Sequence, residues 1–323
     1  MEFRTLPKTG LKVSRLSFGT MTFGAPTLET SARRMVDCCL DAGINFIDTA
    51  NVYNRGVAEM IVGKTLKGRR DKVILATKVR GKMGDAPDEE GLSRAAMRKA
   101  LDASLARLGT DYVDLYYLHL PDYATPIEET LETMEELVKA GKVRFPAISN
   151  YAAWQVAEIL WICEKRGYHP YFISQPMYNL IARGIEDEYL PFCRRFGVAV
   201  VPYNPLAGGL LTGKHSRQGG PTPGTRFDGN KMYQDRYWLD EDFAAVEELR
   251  SIAAEAGKTL VELAFQWLLS QPVVDSIILG ASRVEQLQEN LKAAEGPKLD
   301  KSVLERCDAV WKRLRGITPK YNR

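Results

Sequence analysis

Eight short runs of apolar and β-branched residues recur along the chain, with helical stretches between them, and this alternation limits the fold more than any other feature. The runs are RLSFG (15–19), INFID (44–48), KVILATK (72–78), YVDLYYLHL (112–120), VRFPAIS (143–149), YFISQ (171–175), VAVVPY (198–203) and SIILG (276–280). The first seven begin roughly 30 residues apart, the span of one strand-plus-helix unit. Amphipathic patterns such as SRAAMRKALDASLARLG and PIEETLETMEELVKAGK fill the gaps, and the second opens at Thr125-Pro126 and closes at Gly141, as helix start and stop chemistry requires. Eight strands alternating with helices predict an α/β chain closed into a (β/α)8 barrel of the TIM type, one domain over residues 1–323. Near-continuous apolar strands fit a parallel sheet covered on both faces. The opening FRTLPKTGLKV reads as a β-hairpin closing the bottom of the barrel. A long Gly/Pro-rich loop, GGPTPGTRFDGN (219–230), precedes the last strand, with Tyr233, Tyr237 and Trp238 just beyond it. Pro146 falls inside the fifth run, where it removes a ladder donor and predicts a local irregularity.

Composition narrows the function. Of 323 residues 45% are hydrophobic and 26% charged, and 44 Lys plus Arg against 41 Asp plus Glu leave a net charge of only +3. No basic tract stands out, so no nucleic-acid or anionic membrane surface is indicated. No apolar stretch approaches the roughly 18 residues of a membrane span. MEFRTLPKTGLKV has neither the apolar core nor the cleavage site of a secretory leader, and a cytoplasmic location is expected. The five cysteines lack C-x-x-C spacing and read as reduced, packed thiols. Three histidines with no metal-ligand spacing offer nothing for metal catalysis. A homo-oligomer is compatible with the sequence without being dictated by it.

Active sites of such barrels lie at the C-terminal strand ends, and here those ends are polar: Asp48 with Tyr53 in the next loop, Lys78, His119, Ser149-Asn150, Gln175, Tyr203, and Gly280 with Ser282. Singly, each has an ordinary explanation as an ion pair, a core histidine or a packing ring. Together they answer one chemical need. A phenol titrates near 10, too high for a good acid at neutral pH, and a nearby ammonium lowers that value. A shift of two or three units takes roughly 3–4 kcal/mol, within reach of one charge in a water-poor pocket. Asp48 would keep Lys78 charged, and His119 would donate a hydrogen bond to a substrate oxygen. A proton donor facing a carbonyl still needs a hydride, which implies a reduced nicotinamide. Ser149, Asn150 and Gln175 suit its carboxamide, the Tyr203 ring can stack on it, and backbone amides of GASRVEQLQEN can receive a phosphate. No G-x-G-x-x-G follows the first strand, so the usual dinucleotide signature is absent. GGLLTGKH (208–215) nearly fits a P-loop, but His215 replaces the final Ser/Thr.

In GINFIDTANVYN, ILATKV, DYVDLYYLHLPD, AISNY, QPMYN and PYNPLAGGLLTGK the chain resembles the aldo-keto reductase family over nearly its whole length. The resemblance implies reduction of a small aldehyde or ketone by NADPH, with Tyr53 as proton donor and Asp48, Lys78 and His119 completing a catalytic tetrad. It implies that Gly19, Thr20, Met21, Ser149, Asn150, Gln175 and Tyr203, alongside Asp48, line the nicotinamide end. Leu206, Ala207, Gly209, Lys214 and Arg226 correspond to the loop over the pyrophosphate, and Gly280, Ser282, Arg283, Gln286, Glu289 and Asn290 to the adenosine-phosphate site. Arg283, the one basic residue of GASRVEQLQEN, is the candidate reader of the 2′-phosphate. Substrate walls are expected from Phe23, Tyr123, Tyr151 and residues 219–238.

Two rivals stay open. One is a barrel lyase with Lys78 as Schiff-base nucleophile, which requires a lowered lysine pKa. The other is a coenzyme-holding regulatory subunit with little turnover, as in the potassium-channel β subunits that resemble the same family but depart at the position of His119.

Overall fold

Each of the eight runs forms a strand in the computed structural model, which describes residues 1–317. After an antiparallel hairpin, β1 (Phe3–Thr5) and β2 (Lys12–Ser14), come β3 (Leu16–Gly19), β4 (Phe46–Asp48), β5 (Ile74–Val79), β6 (Val113–Leu118), β7 (Val143–Ser149), β8 (Ile173–Gln175), β9 (Ala199–Val200) and β10 (Ile277–Gly280). Strands β3 to β9 pair in sequence order, all parallel, and β10 returns to pair with β3. Val200 and Val274 bridge the seam between β9 and β10, where the Asp275 and Ile278 amides donate to the Val200 and Pro202 carbonyls. The sheet therefore curls into the expected (β/α)8 barrel.

Alternation along each strand divides the core in two. Inward residues, among them Phe46, Ile74, Ala76, Leu115, Tyr117, Ala147, Ile173 and Ile278, fill the barrel. Outward residues such as Phe18, Ile47, Leu75, Tyr116 and Ile148 pack against the helices. These are α1 (Glu29–Asp41), α2 (Val57–Leu66), α3 (Arg94–Leu108), α4 (Ile127–Lys139), α5 (Ala153–Arg166), α6 (Tyr189–Phe196), α7 (Lys231–Tyr237), α8 (Asp240–Glu255), α9 (Leu260–Ser270), α10 (Val284–Ala294) and α11 (Lys301–Arg315). The Ser93 hydroxyl caps α3 and Gly109 ends it in a left-handed conformation, as the sequence chemistry requires. No helix among the described residues is long and apolar enough to cross a membrane.

The hairpin does plug the barrel floor: Leu6 and Val13, both wholly buried, join the interior cluster. One expectation needs correction. Pro146 causes no irregularity, because β7 runs unbroken and keeps register with β6 through Tyr116–Pro146. Pairing with β8 begins only at Ile148, so on that side there is no ladder at Pro146 to interrupt. The Gly/Pro-rich stretch 219–230 is a loop, as expected, and α7, α8 and α9 follow it before the last strand.

Candidate active site

Period-two alternation builds the site. Ile74 and Ala76 point into the barrel, so Lys78 does too, one step nearer the mouth. Phe46 leads in the same way to Asp48, Tyr117 to His119, Ala147 to Ser149, Ile173 to Gln175 and Val201 to Tyr203. The apolar interior thus ends in a polar layer at the C-terminal rim.

Lys78 is wholly buried, and its three ammonium donors all find oxygen: Asp48 Oδ1 at 2.5 Å, the Thr49 carbonyl at 2.8 Å and the Tyr53 hydroxyl at 3.3 Å. Burial is the largest influence on Lys78 and lowers its pKa, but Asp48 and Tyr53 together outweigh it and raise the net value, so the ammonium persists. Gln175 Nε2 donates to the other Asp48 oxygen at 2.8 Å and fixes the carboxylate from the far side. The His119 ring stands edge-on to Tyr53, centroids 6.0 Å apart. Burial, helped by the Lys78 charge, pushes His119 down to about 3, so the imidazole is neutral across the working range.

Tyr53 departs from expectation. Burial raises its pKa more than Lys78 lowers it, so the phenol lies above 10 rather than two or three units below. Lys78 offsets the desolvation of the phenolate without reversing it. The hydroxyl accepts from Lys78 and has no acceptor of its own among the described residues, which leaves the phenolic proton free for a group entering from the mouth.

A second network adjoins the first. Ser149 Oγ donates to the Gln175 carbonyl, Asn150 Nδ2 to the His119 carbonyl and to Ser149 Oγ, and the Tyr203 hydroxyl to Asn150 Oδ1, all within 2.9 Å. Asn150 adopts a left-handed backbone (φ 63°), which its short polar side chain tolerates. Thr20 ties the end of β3 to β4 at the rim, its N–H and hydroxyl both donating to the Asp48 carbonyl. A Cβ on Gly19 would lie 2.8 Å from Ile278 Cγ2, so only glycine fits between β3 and β10.

The residues expected to hold a dinucleotide fit one. Ala207, Gly208 and Gly209 are consecutively left-handed, a loop that brings backbone close to whatever lies on it. Asn290 Nδ2 donates to the Gly280 carbonyl and the Gln286 side chain accepts from the Ser282 amide, so the turn after β10 is held open. Lys214, Arg226 and Arg283 have no carboxylate partner among the described residues, which suits an anionic ligand. Arg226 instead donates to Met21 Sδ at 2.9 Å, drawing its loop toward β3. Leu206 is half-buried behind this loop, and Glu289 is exposed on α10.

The expected substrate walls are largely wrong. Phe23 is wholly buried against Phe18, and Tyr151, Tyr237 and Trp238 are buried as well. The Tyr237 hydroxyl accepts from Asn179 and Asn204, which marks it as core. Tyr123 remains accessible, joined by Trp154, which the sequence did not single out. Tyr233 is also buried, but its phenol is close enough to oppose ionisation of Tyr53.

Comparison with known proteins agrees with this geometry. The model of the aldo/keto reductase family matches residues 15–312. A probable voltage-gated potassium channel subunit beta from Arabidopsis thaliana is 38% identical over 96% of both chains. An uncharacterized oxidoreductase, YrpG, from Bacillus subtilis is 38% identical over 99% of both. Human aldo-keto reductase family 7 member A3 is 36% identical over 94% of this chain and 96% of that protein. The barrel, its strand-end residues and these matches together establish that the chain belongs to the aldo/keto reductase family.

Proposed function

We propose that the protein reduces the carbonyl group of a small aldehyde or ketone, with NADPH as the hydride source and Tyr53 as the proton donor. One observation carries the reading: Lys78 holds the Tyr53 oxygen at 3.3 Å while the phenolic proton has no acceptor within the described residues. When bound, the coenzyme supplies the hydride to the carbonyl carbon, which no side chain here can do. Ser149, Asn150, Gln175 and Tyr203 would hold its nicotinamide end, Lys214 and Arg226 its pyrophosphate, and Ser282 and Arg283 its 2′-phosphate. As negative charge develops on the carbonyl oxygen, Tyr53 gives up its proton to it. The Lys78 ammonium then faces the incipient phenolate, a fixed charge that needs no rearrangement at the moment of reaction. Neutral His119 donates a hydrogen bond to the same substrate oxygen and orients it without adding charge. Asp48 and Gln175 hold Lys78 in place.

The Schiff-base alternative runs against the raised Lys78 pKa, since a charged lysine is no nucleophile. A second reading, a coenzyme-holding regulatory subunit, draws on the likeness to the Arabidopsis channel subunit. Turnover separates the two. Purified protein should oxidise NADPH across a panel of aldehydes and ketones, and Tyr53→Phe should bind NADPH normally while losing hydride transfer by about a hundredfold or more. Single-turnover absorbance of NADPH reads the first quantity and fluorescence titration the second. Near wild-type reduction by Tyr53→Phe would sink the assignment.

A further inference from the structure

We propose that Asn54 is a positioning residue for the proton donor, its side-chain amide holding the turn that carries Tyr53 against the loop after β3. The proposal rests on the reading of Tyr53 given above. Three consecutive residues after Tyr53 are left-handed: Asn54 (φ 46°, ψ 41°), Arg55 (φ 53°, ψ 45°) and Gly56 (φ 86°, ψ −9°). Glycine and asparagine enter this region readily and arginine does not. Such a run persists only where its surroundings over-determine it.

Here they do. Asn54 Nδ2 donates to the Phe23 carbonyl at 2.6 Å, with the Ala25 and Met21 carbonyls at 3.2 and 3.4 Å. Those carbonyls belong to a fixed platform: Thr22 and Thr27 hydroxyls donate to the Ala281 and Ser282 carbonyls of the neighbouring loop after β10. Contact between platform and turn is tight, since a Cβ on Gly24 would lie 2.5 Å from Val57 Cγ1. On the opposite side the Arg107 side chain fills the space beneath Gly56, where a Cβ would meet it at 2.8 Å, and its Nε donates to buried Glu59. The turn is clamped between Arg107 and the platform, and Asn54 supplies the polar half of the clamp.

The precision matters because the Tyr53–Lys78 bond, at 3.3 Å, lies near the outer limit of a useful hydrogen bond. A swing of the turn by a few tenths of an ångström would release the phenol from the ammonium. An asparagine serving only as a good left-handed residue could be replaced by glycine without loss, because glycine prefers that conformation equally. Asn54→Gly keeps the backbone preference and removes only the amide, which makes it the discriminating variant.

With NADPH and a saturating carbonyl substrate, Asn54→Gly should retain coenzyme affinity and KM while kcat falls about tenfold to a hundredfold. The alkaline limb of its pH profile should move upward, because a phenol further from Lys78 ionises less readily. Asn54→Asp, which tolerates the same conformation but has no donor, should behave alike and covers a folding failure of the first variant. Arg55→Gly relaxes the same turn with the amide intact and should leave kcat within about twofold of wild type. Wild-type kcat in both Asn54 variants overturns the proposal. A lower kcat with an unmoved limb overturns it too, since mere loss of order gives that result. Tyr53→Phe, run in parallel, tells the failures apart. If it is inactive while the Asn54 variants are normal, only the role of Asn54 falls; if it is active, the proton-donor reading falls and this one with it.

Discussion

Among single residues, Lys78 decides the character of the site. An ammonium with three oxygen partners, one a carboxylate, stays charged despite complete burial, and it pulls the Tyr53 pKa down against burial. The pH dependence follows from the two directions. In its proposed role Tyr53 must be protonated to act, so reduction should hold steady through neutrality and fall only as pH rises through its elevated pKa. His119, pushed down to about 3, should contribute no inflection between about 5 and 8. A depressed histidine works the other way on folding: below its unfolded pKa near 6.5 the unfolded chain takes a proton that the native state refuses, so stability declines on the acid side. Lys78→Met removes the lowering influence and should shift the alkaline limb of kcat/KM upward while slowing reduction, as a full pH–rate profile on both proteins would reveal. An alkaline limb in the same place would mean that Lys78 does not tune the phenol. Arg283 carries a separate prediction about the coenzyme. It is exposed and free of carboxylate partners among the described residues, and a charge-assisted hydrogen bond to a 2′-phosphate is worth roughly 1.5–3 kcal/mol. Arg283→Ala should therefore weaken NADPH about tenfold to a hundredfold and leave NADH unchanged, measured as dissociation constants at fixed ionic strength. Equal weakening of both would remove Arg283 from the 2′-phosphate.

At the level of elements, α2 and the end of α3 approach closely, backbone against backbone. A Cβ on Gly63 would lie 2.6 Å from the Arg107 and Leu108 carbonyl oxygens, both backbone atoms that cannot rotate away. Gly63→Ala should therefore destabilise the fold by about 1–3 kcal/mol, the usual penalty of overpacking, although alanine is the better helix former. Urea unfolding at constant m-value measures it, and unchanged stability would mean that the two helices can part freely. Nothing in MIVGKTL announces this contact, because helix-to-helix distance is a tertiary property. The same divide separates what could be read from the sequence and what could not. Strand runs, the caps of α3 and the polar strand ends were legible, since periods of two and 3.6 and the residue after each apolar run are local facts. Burial is not local, so neither the raised Tyr53 pKa nor the core placement of Phe23, Tyr151, Tyr237 and Trp238 is legible in the sequence.

Across the whole molecule, the hairpin and the candidate site occupy opposite ends of one barrel. The hairpin β1–β2 spans the bottom: Asn45, just ahead of β4, bonds the backbone of Lys12 and Ser14, Lys8 reaches the Phe196 carbonyl, and Arg4 reaches that of Pro272 ahead of β10. Leu6 and Val13 descend from it into the interior layer of Phe46, Ile74, Leu115 and Ile278. The tetrad lies at the other ends of the same strands, beyond Ala76 and Tyr117. Leu6→Ala would open a cavity in the floor that the surrounding β-strands, fixed by their ladders, can collapse into only partly. The expected loss is about 2–5 kcal/mol of unfolding free energy. Because Leu6 packs at the end of the barrel opposite Asp48, Tyr53, Lys78 and His119, kcat and the pH profile of the folded variant should stay at wild-type values. Denaturant titration and steady-state kinetics on one preparation test both halves together. A variant that keeps its stability would show the hairpin to be a loose cover, and one that loses kcat while folded would show that the floor positions the rim through the barrel.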